Sequence, residues 1–346
     1  MNRLSSPLDV QIELTEACNQ NCRHCYNYWR QEKKPPIGEL STNNFLNVIK
    51  QIHLAKVGSV TLTGGEPMLR KNLLFDMVSK LHNLNMDVGL NSNGILINKE
   101  SAKILAKCGL NHALISVLGT ETLHNSIAGT GGDFTKTIQG IKNLLNVGID
   151  VAVNMPVSKI NLSSVWKTAK FIKEIGVKKF CSEPIVPSCK SNISLCLSIE
   201  ECKIFLKELI RVSSKLKLDV VVLEPLARCL FNSEEEKEFV RFFGNRICSA
   251  AVSSCAISSK GEMRPCIQSD VLYGNVLPNN FLDVWKKMKQ WSSPEILPKK
   301  CIKCNALMVC EGGCRMSAKI FTGSYNGQDM YMREPISDPK RVVMLP

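Results

Sequence analysis

The segment Cys18-Asn19-Gln20-Asn21-Cys22-Arg23-His24-Cys25-Tyr26 spaces three cysteines C-x3-C-x2-C, just after the apolar run Val10 to Leu14. Soft thiolates select iron–sulfur centres, and a turn-rich backbone lets three of them converge. Such a loop holds three irons of a cubane [4Fe–4S] cluster and leaves the fourth iron open. A zinc loop and a ferredoxin-like electron carrier are the competing readings. Structural zinc closes four ligands drawn from paired knuckles, which a three-cysteine loop supplies poorly. His24 lies inside the loop, where most turn geometries point it away from the sulfurs.

A second cysteine system lies towards the C-terminus. Cys248-x12-Gly261-x4-Cys266 is followed by Cys301-x2-Cys304-x5-Cys310-x3-Cys314. Pairs spaced C-x2-C also make zinc knuckles, so this run alone leaves zinc open. Of the 16 cysteines, Cys108, Cys181, Cys189, Cys196, Cys202 and Cys229 fit no motif. Cys108 and Cys202 sit in helical patterns as small core residues. Cys181, Cys189 and Cys196 follow the sixth strand pattern and are candidate hydrogen-atom donors or substrate contacts.

The chain that must position these groups has 346 residues, 44% of them hydrophobic, enough for one large domain and an appendage. No apolar stretch has the length of a signal peptide or a membrane span, which leads us to expect a cytoplasmic protein with no membrane partner. Cysteine-rich composition in such a chain argues for metal rather than disulfides. The formal charge is +13, with lysines gathered at Lys167–Lys179, Lys203–Lys217 and Lys286–Lys303. Such runs are ordinarily solvated helix faces, and they also suit docking of an acidic flavodoxin, ferredoxin or peptide. Aromatics make up 6% and do not interleave with the basic runs, which disfavours nucleic acid.

Strand patterns occur at Asp9–Leu14, Ser59–Thr63, Met86–Asn91, Ala113–Leu118, Asp150–Met155 and Val177–Cys181. Segments with i, i+3/i+4 apolar spacing alternate with them, several ending near Gly58, Gly109, Gly148 and Gly176. This predicts an α/β fold with a parallel sheet, either open or curled into a partial barrel. A further helix pattern covers Ile199–Leu216, and the acidic run Ser233–Glu238 marks a change of character. The expected domains are 1–230 and 231–346. Active groups of parallel α/β folds lie at the C-terminal ends of strands. There the second strand pattern meets Thr63-Gly64-Gly65-Glu66-Pro67, the third Asn91-Ser92-Asn93-Gly94, the fourth Ser116 and the fifth Asn154. Paired glycines let backbone approach a ligand, and a carboxylate beside exposed carbonyls suits an ammonium group. The polar strand ends are equally ordinary helix caps.

Cys18, Cys22 and Cys25, joined to Gly64-Gly65-Glu66-Pro67 one crossover later, resemble the radical S-adenosylmethionine (SAM) superfamily. The C-terminal cysteines resemble the SPASM extension of those enzymes, and the two resemblances cover nearly the whole chain. They imply a partial (βα)6 barrel with a small C-terminal iron–sulfur domain, a SAM-binding [4Fe–4S] cluster on Cys18, Cys22 and Cys25, and one or two auxiliary [4Fe–4S] clusters. Gly64, Gly65, Glu66 and Pro67 would bind the SAM amino group. Ser92, Asn93, Ser116 and Asn154 would meet its ribose and carboxylate, and Tyr26 its adenine. The implied reaction is one-electron cleavage of SAM to methionine and a 5′-deoxyadenosyl radical, which abstracts a substrate hydrogen atom.

The same pattern gives Cys248, Cys255, Cys266 and Cys314 to a first auxiliary cluster and Cys301, Cys304 and Cys310 to a second. Nothing after Cys314 is cysteine, so the second lacks its expected fourth thiolate. Asp329 or Asp338 as an oxygen ligand, an open iron, and an absent cluster are the alternatives. The expected substrate is a ribosomally made peptide, with a sulfatase-maturase-like protein oxidation, a small-molecule enzyme and a non-catalytic electron carrier or sensor as alternatives. Only seventeen residues precede Cys18, so leader-peptide binding is expected to need a separate protein, and reduction a flavodoxin- or ferredoxin-type donor.

Overall fold

A computed structural model describes residues 3–27, 37–244 and 246–338. Seven parallel strands follow one another: β1 (Asp9–Glu13), β2 (Ser59–Thr63), β3 (Asp87–Ser92), β4 (His112–Ser116), β5 (Asp150–Val157), β6 (Lys179–Pro184) and β7 (Asp219–Val221). The hairpin β8 (Ser254–Ile257) and β9 (Met263–Arg264) completes a sheet of order β7-β6-β5-β4-β3-β2-β1-β8-β9. All neighbours are parallel except β8 and β9.

Because every crossover steps the same way along the sheet, right-handed connections place the helices on one face. The other face is left to curl into a lumen. Residue alternation follows this division. His112, Leu114 and Ser116 of β4, Asp150, Ala152, Asn154 and Pro156 of β5, and Lys179, Cys181 and Glu183 of β6 line one cavity. Their neighbours Ile115, Val151, Val153, Met155 and Phe180 belong to the core on the helix side.

The helices are α1 (Thr42–Leu54), α2 (Lys71–Asn83), α3 (Lys99–Cys108), α4 (Glu121–Ala128), α5 (Phe134–Asn146), α6 (Val165–Glu174) and α7 (Ile199–Arg211), then α8 (Ser233–Phe243), α9 (Phe281–Lys287), α10 (Leu307–Cys310) and α11 (Arg315–Thr322). Helix α1 starts where the Ser41 hydroxyl accepts the Asn44 N–H, and it buries Phe45, Val48, Ile49 and Ile52, one apolar stripe. Gly109, Gly148 and Gly176 take left-handed backbone as expected, but after α1 that conformation falls to Lys56 at φ +59° rather than to Gly58. Cys202 is fully buried in the core and Cys108 packs against it. No helix among the described residues is long and apolar enough to cross a membrane.

The six expected strands are all present, with β7 and the hairpin added. The sheet does not stop at residue 230, because β8 pairs in register with β1, Asp9 to Ser254 and Ile12 to Ile257. A buried ion pair crosses the same seam: Arg264 Nη2 lies 2.5 Å from Glu13 Oε1. The hairpin at 254–264 thus extends the barrel sheet from the segment that also carries the cysteine run.

Candidate functional site

The loop after β1 is fixed before any ligand is considered. The Gly65 and Glu66 amides donate to the carbonyls of Thr15 (2.7 Å) and Ala17 (2.8 Å). A Cβ at Gly64 would stand 2.5 Å from the Thr15 carbonyl oxygen, and one at Gly65 2.0 Å from that of Ala17. The paired glycines therefore let two protein segments approach, besides lining the cavity. From the other side, Asn21 and Arg23 donate to Ala128 and Ile127 at the end of α4, and the Ser188 hydroxyl donates to the Cys25 carbonyl.

Glu66 is also spent locally. Its buried carboxylate accepts from the Met68 N–H (3.0 Å), the Ser92 hydroxyl (2.8 Å) and the Asn93 N–H (2.9 Å). Burial raises its pKa and these bonds oppose the rise. The Asn93 side-chain amide donates in turn to Asn19 Oδ1 at 2.8 Å, tying β3 to the cysteine loop. Glu66 and Pro67, which opens a short 3-10 turn, fall outside the cavity lining. Gly64, Gly65, Ser92, Asn93, Ser116 and Asn154 do line it, as do Tyr26 and His24.

Cys18, Cys22 and Cys25 line one end of this cavity of about 660 Å³, a size typical of ligand sites. Burial alone pushes His24 down to about 4, so its imidazole is neutral at pH 7. Burial raises the Tyr26 phenol likewise, against a bond from the Thr63 side chain. Further in, the Asn154 amide donates to Glu183 Oε1 at 3.0 Å. Burial pushes Glu183 up to about 8, Asn154 and Arg246 opposing and the nearby Glu224 adding to the rise. Glu183, Glu224 and Arg246 are charged lining residues that spacing did not single out. Of Cys181, Cys189 and Cys196, only Cys181, which lies within β6 and not after it, reaches the cavity, while Cys189 and Cys196 are not part of its lining.

At the far wall stand Cys248, Cys266, Cys314 and Glu224. Burial is the main cause raising Cys248 to about 11 and Cys266 to about 12, and Cys314 well above its usual range, with Glu224 adding to all three. The Gln268 amide holds Glu224 at 2.6 Å. Cys255, expected as the fourth member, also borders the cavity, but it is 2% exposed and packs in the apolar core. It pairs with Val10, so alternation turns it to the helix side of β8 and into the apolar core, and its charged neighbours are Asp9 and Arg3.

Cys301, Cys304 and Cys310 come together as spacing predicts, but with Cys229 beside them. Burial is the first cause lifting Cys301 to about 12 and Cys229 to about 11, and the neighbouring thiolates of this group add to it. Asp329 belongs to the other group, where its carboxylate accepts from the Cys314 N–H at 3.1 Å and the Tyr331 N–H at 2.8 Å. Among the described residues no three His, Cys, Asp or Glu side chains close on one point as a single ion requires.

Comparison with known proteins adds the rest. Residues 12–172 match the family described as the radical SAM superfamily. An AdoMet-dependent heme synthase of Methanosarcina barkeri is 28% identical over 94% of this chain and 96% of its own. A PqqA peptide cyclase of Gluconobacter oxydans is 24% identical over 94% and 90%. The crystal structure of Streptococcus suis SuiB bound to precursor peptide SuiA superposes with a TM-score of 0.75 at 20% identity, covering 94% of this chain and 76% of that one. The matched segment opens at Ile12, carries the three-cysteine loop and the Gly64-Gly65 crossing, and runs through β5, so this chain carries a radical SAM domain, which implies an enzyme that uses a [4Fe–4S] cluster and SAM.

Proposed function

We propose that this radical SAM enzyme modifies a ribosomally made peptide, with Cys18, Cys22 and Cys25 as the ligands of its SAM-binding cluster. The observation that carries the proposal is the single cavity that joins those three thiols to Cys248, Cys266 and Cys314 past a wall of polar strand residues. An extended chain can be held there between two redox-capable ends. The PqqA peptide cyclase relative and the fold shared with peptide-bound SuiB support a peptide.

Bound at the first end, the cluster and SAM supply the 5′-deoxyadenosyl radical that takes a hydrogen atom from a substrate C–H bond. The protein's own part is to bind and orient. In this reading the Gly64-Gly65 backbone would meet the SAM ammonium, Ser116 and Asn154 its ribose or carboxylate, and Tyr26 its adenine. Ser92, Asn93, Glu66 and Pro67 act by holding the cysteine loop. Glu183, close to half-protonated near pH 8, can hold a proton at the substrate position. Cys248, Cys266 and Cys314 would hold the first auxiliary cluster, with Glu224 beside all three thiols. Residues 231–346 form the auxiliary domain in this scheme. A flavodoxin- or ferredoxin-type donor and a separate leader-binding protein are its expected partners, the first favoured by the basic charge of +13.

The test is anaerobic incubation with dithionite and SAM, followed by mass spectrometry of each small peptide encoded beside the gene and coexpressed with it. Deoxyadenosine above a Cys22→Ala control together with a changed peptide mass supports the proposal. Deoxyadenosine with no mass change in any neighbouring peptide turns the assignment to a small molecule. The heme synthase relative, matched along 96% of its length, favours a heme precursor as that second substrate. Incubation with an iron porphyrin bearing carboxylate side chains then separates the two.

A further inference from the structure

Cys229 lies on a short 3-10 turn, Arg228–Leu230, between β7 and α8. Chain order sets it far from the C-x2-C-x5-C run, yet it packs with Cys304 against one small apolar group formed by Ala306, Val309, Cys310 and Ile336. Backbone amides reach these sulfurs from two directions. Arg333 N–H donates to Cys229 Sγ at 3.0 Å, Ile336 N–H to Cys304 Sγ at 3.3 Å, and Arg228 N–H to Cys310 Sγ at 3.3 Å. The bonds interlock: the residue before Cys229 serves Cys310, and the segment 333–336 serves both Cys229 and Cys304. The Arg228 guanidinium, 2% exposed, faces Glu236 of α8 at 3.8 Å.

We propose that Cys229 is the fourth thiolate of the second auxiliary [4Fe–4S] cluster, closing it together with Cys301, Cys304 and Cys310. The inference rests on the reading of the C-terminal cysteines as cluster ligands. Four soft donors, three N–H···S bonds and a buried cation are the surroundings that an anionic thiolate-ligated cluster needs, and such bonds tune its potential. None of the four cysteines lines the cavity between the other two sets. This cluster is therefore closed to substrate and serves structure or electron relay. The open-iron alternative and the carboxylate alternative at Asp329 both give way, since Asp329 is engaged beside Cys314.

The experiment begins from the Cys18/Cys22/Cys25→Ala triple variant, purified anaerobically. Two auxiliary cubanes give about eight irons per chain. Adding Cys229→Ala should remove about four irons or convert one cluster to the [3Fe–4S] form seen by electron paramagnetic resonance, and Asp329→Asn should do neither. Unchanged iron and unchanged spectra in Cys229→Ala overturn the proposal while leaving the cluster reading intact. Fewer than about four irons in the triple variant itself overturns that reading instead. If Cys229→Ala is insoluble, thiol alkylation of the intact holoenzyme decides. Cys229 should be protected together with Cys301, Cys304 and Cys310 and become reactive only after iron chelation; alkylation of Cys229 while those three stay protected overturns the proposal.

Discussion

The Gly65 amide donates to the Thr15 carbonyl at 2.7 Å, and a methyl group at Gly65 would reach within 2.0 Å of the Ala17 carbonyl oxygen. Backbone cannot yield as a side-chain tip can, so Gly65→Ala must displace the cysteine loop. We expect this variant to lose the iron of the SAM-binding cluster, about four per chain, and all SAM cleavage, while the auxiliary iron stays. Iron and sulfide counts beside deoxyadenosine assays check it; normal deoxyadenosine formation would contradict the crossing.

Each of Cys18→Ala, Cys22→Ala and Cys25→Ala should abolish deoxyadenosine formation and leave the auxiliary clusters assembled. A cubane on two thiolates loses its grip and its open-iron geometry together. The C-terminal sulfurs form cages of their own from other elements. Substantial deoxyadenosine from any one of the three would sink the ligand assignment.

Glu13 and Arg264 are 1% and 0% exposed and 2.5 Å apart. Removing one partner of such a pair leaves a buried charge and costs about 3–5 kcal/mol, whereas replacing both with apolar residues is close to neutral. Arg264→Met should therefore lower stability by roughly that amount, and Glu13→Leu/Arg264→Met should recover most of it. Urea denaturation of the three proteins measures the cycle. Equal losses in the single and double variants would show that the pair does not couple β1 to the hairpin.

Glu183 gives a pH dependence with a definite sign. Its carboxyl is raised by burial to about 8 in the folded chain, above the 4.5 of an ordinary glutamate. Between these values the folded state binds the extra proton, so stability falls as pH rises through that window. Without added SAM, the protein should melt a few degrees lower at pH 8.5 than at pH 6. Glu183→Gln should flatten that slope, and a slope that persists unchanged would assign it to other groups.

Much of this arrangement was legible because it is periodic. Strands that alternate lumen and core residues, as His112 to Ser116 and Asp150 to Pro156 do, announce both their conformation and their two faces. Strand β7, three residues long, and strand β8, four residues long, carry too few residues for a pattern to stand out. Spacing found Cys301, Cys304 and Cys310 because a local loop brings them together. It could not find Cys229, whose approach depends on how the turn before α8 meets the segment 333–336. Nor does sequence say where a carboxylate spends its lone pairs, and Glu66 spends its own on Met68, Ser92 and Asn93.

Cys255 is the sharpest case, since a family pattern and strand register disagree about it. In the β1–β8 pairing Val10 faces Cys255 and Gln11 faces Ala256. Val10, Cys255 and Ile257 are all buried in the core, so the Cys255 side chain follows Val10 although its residue also borders the cavity. A one-residue slip would be needed to turn it inward, and that would turn Ile257 out of the core as well. Cys255→Ala should accordingly keep all auxiliary iron and cost only the stability of a small buried side chain, about 1 kcal/mol. Cys266→Ala, on the cavity side, should lose the first auxiliary cluster. Iron counts and Mössbauer spectra of the two variants in the Cys18/Cys22/Cys25→Ala background compare them directly, and loss of about four irons in Cys255→Ala would restore it as a ligand and refute the register argument.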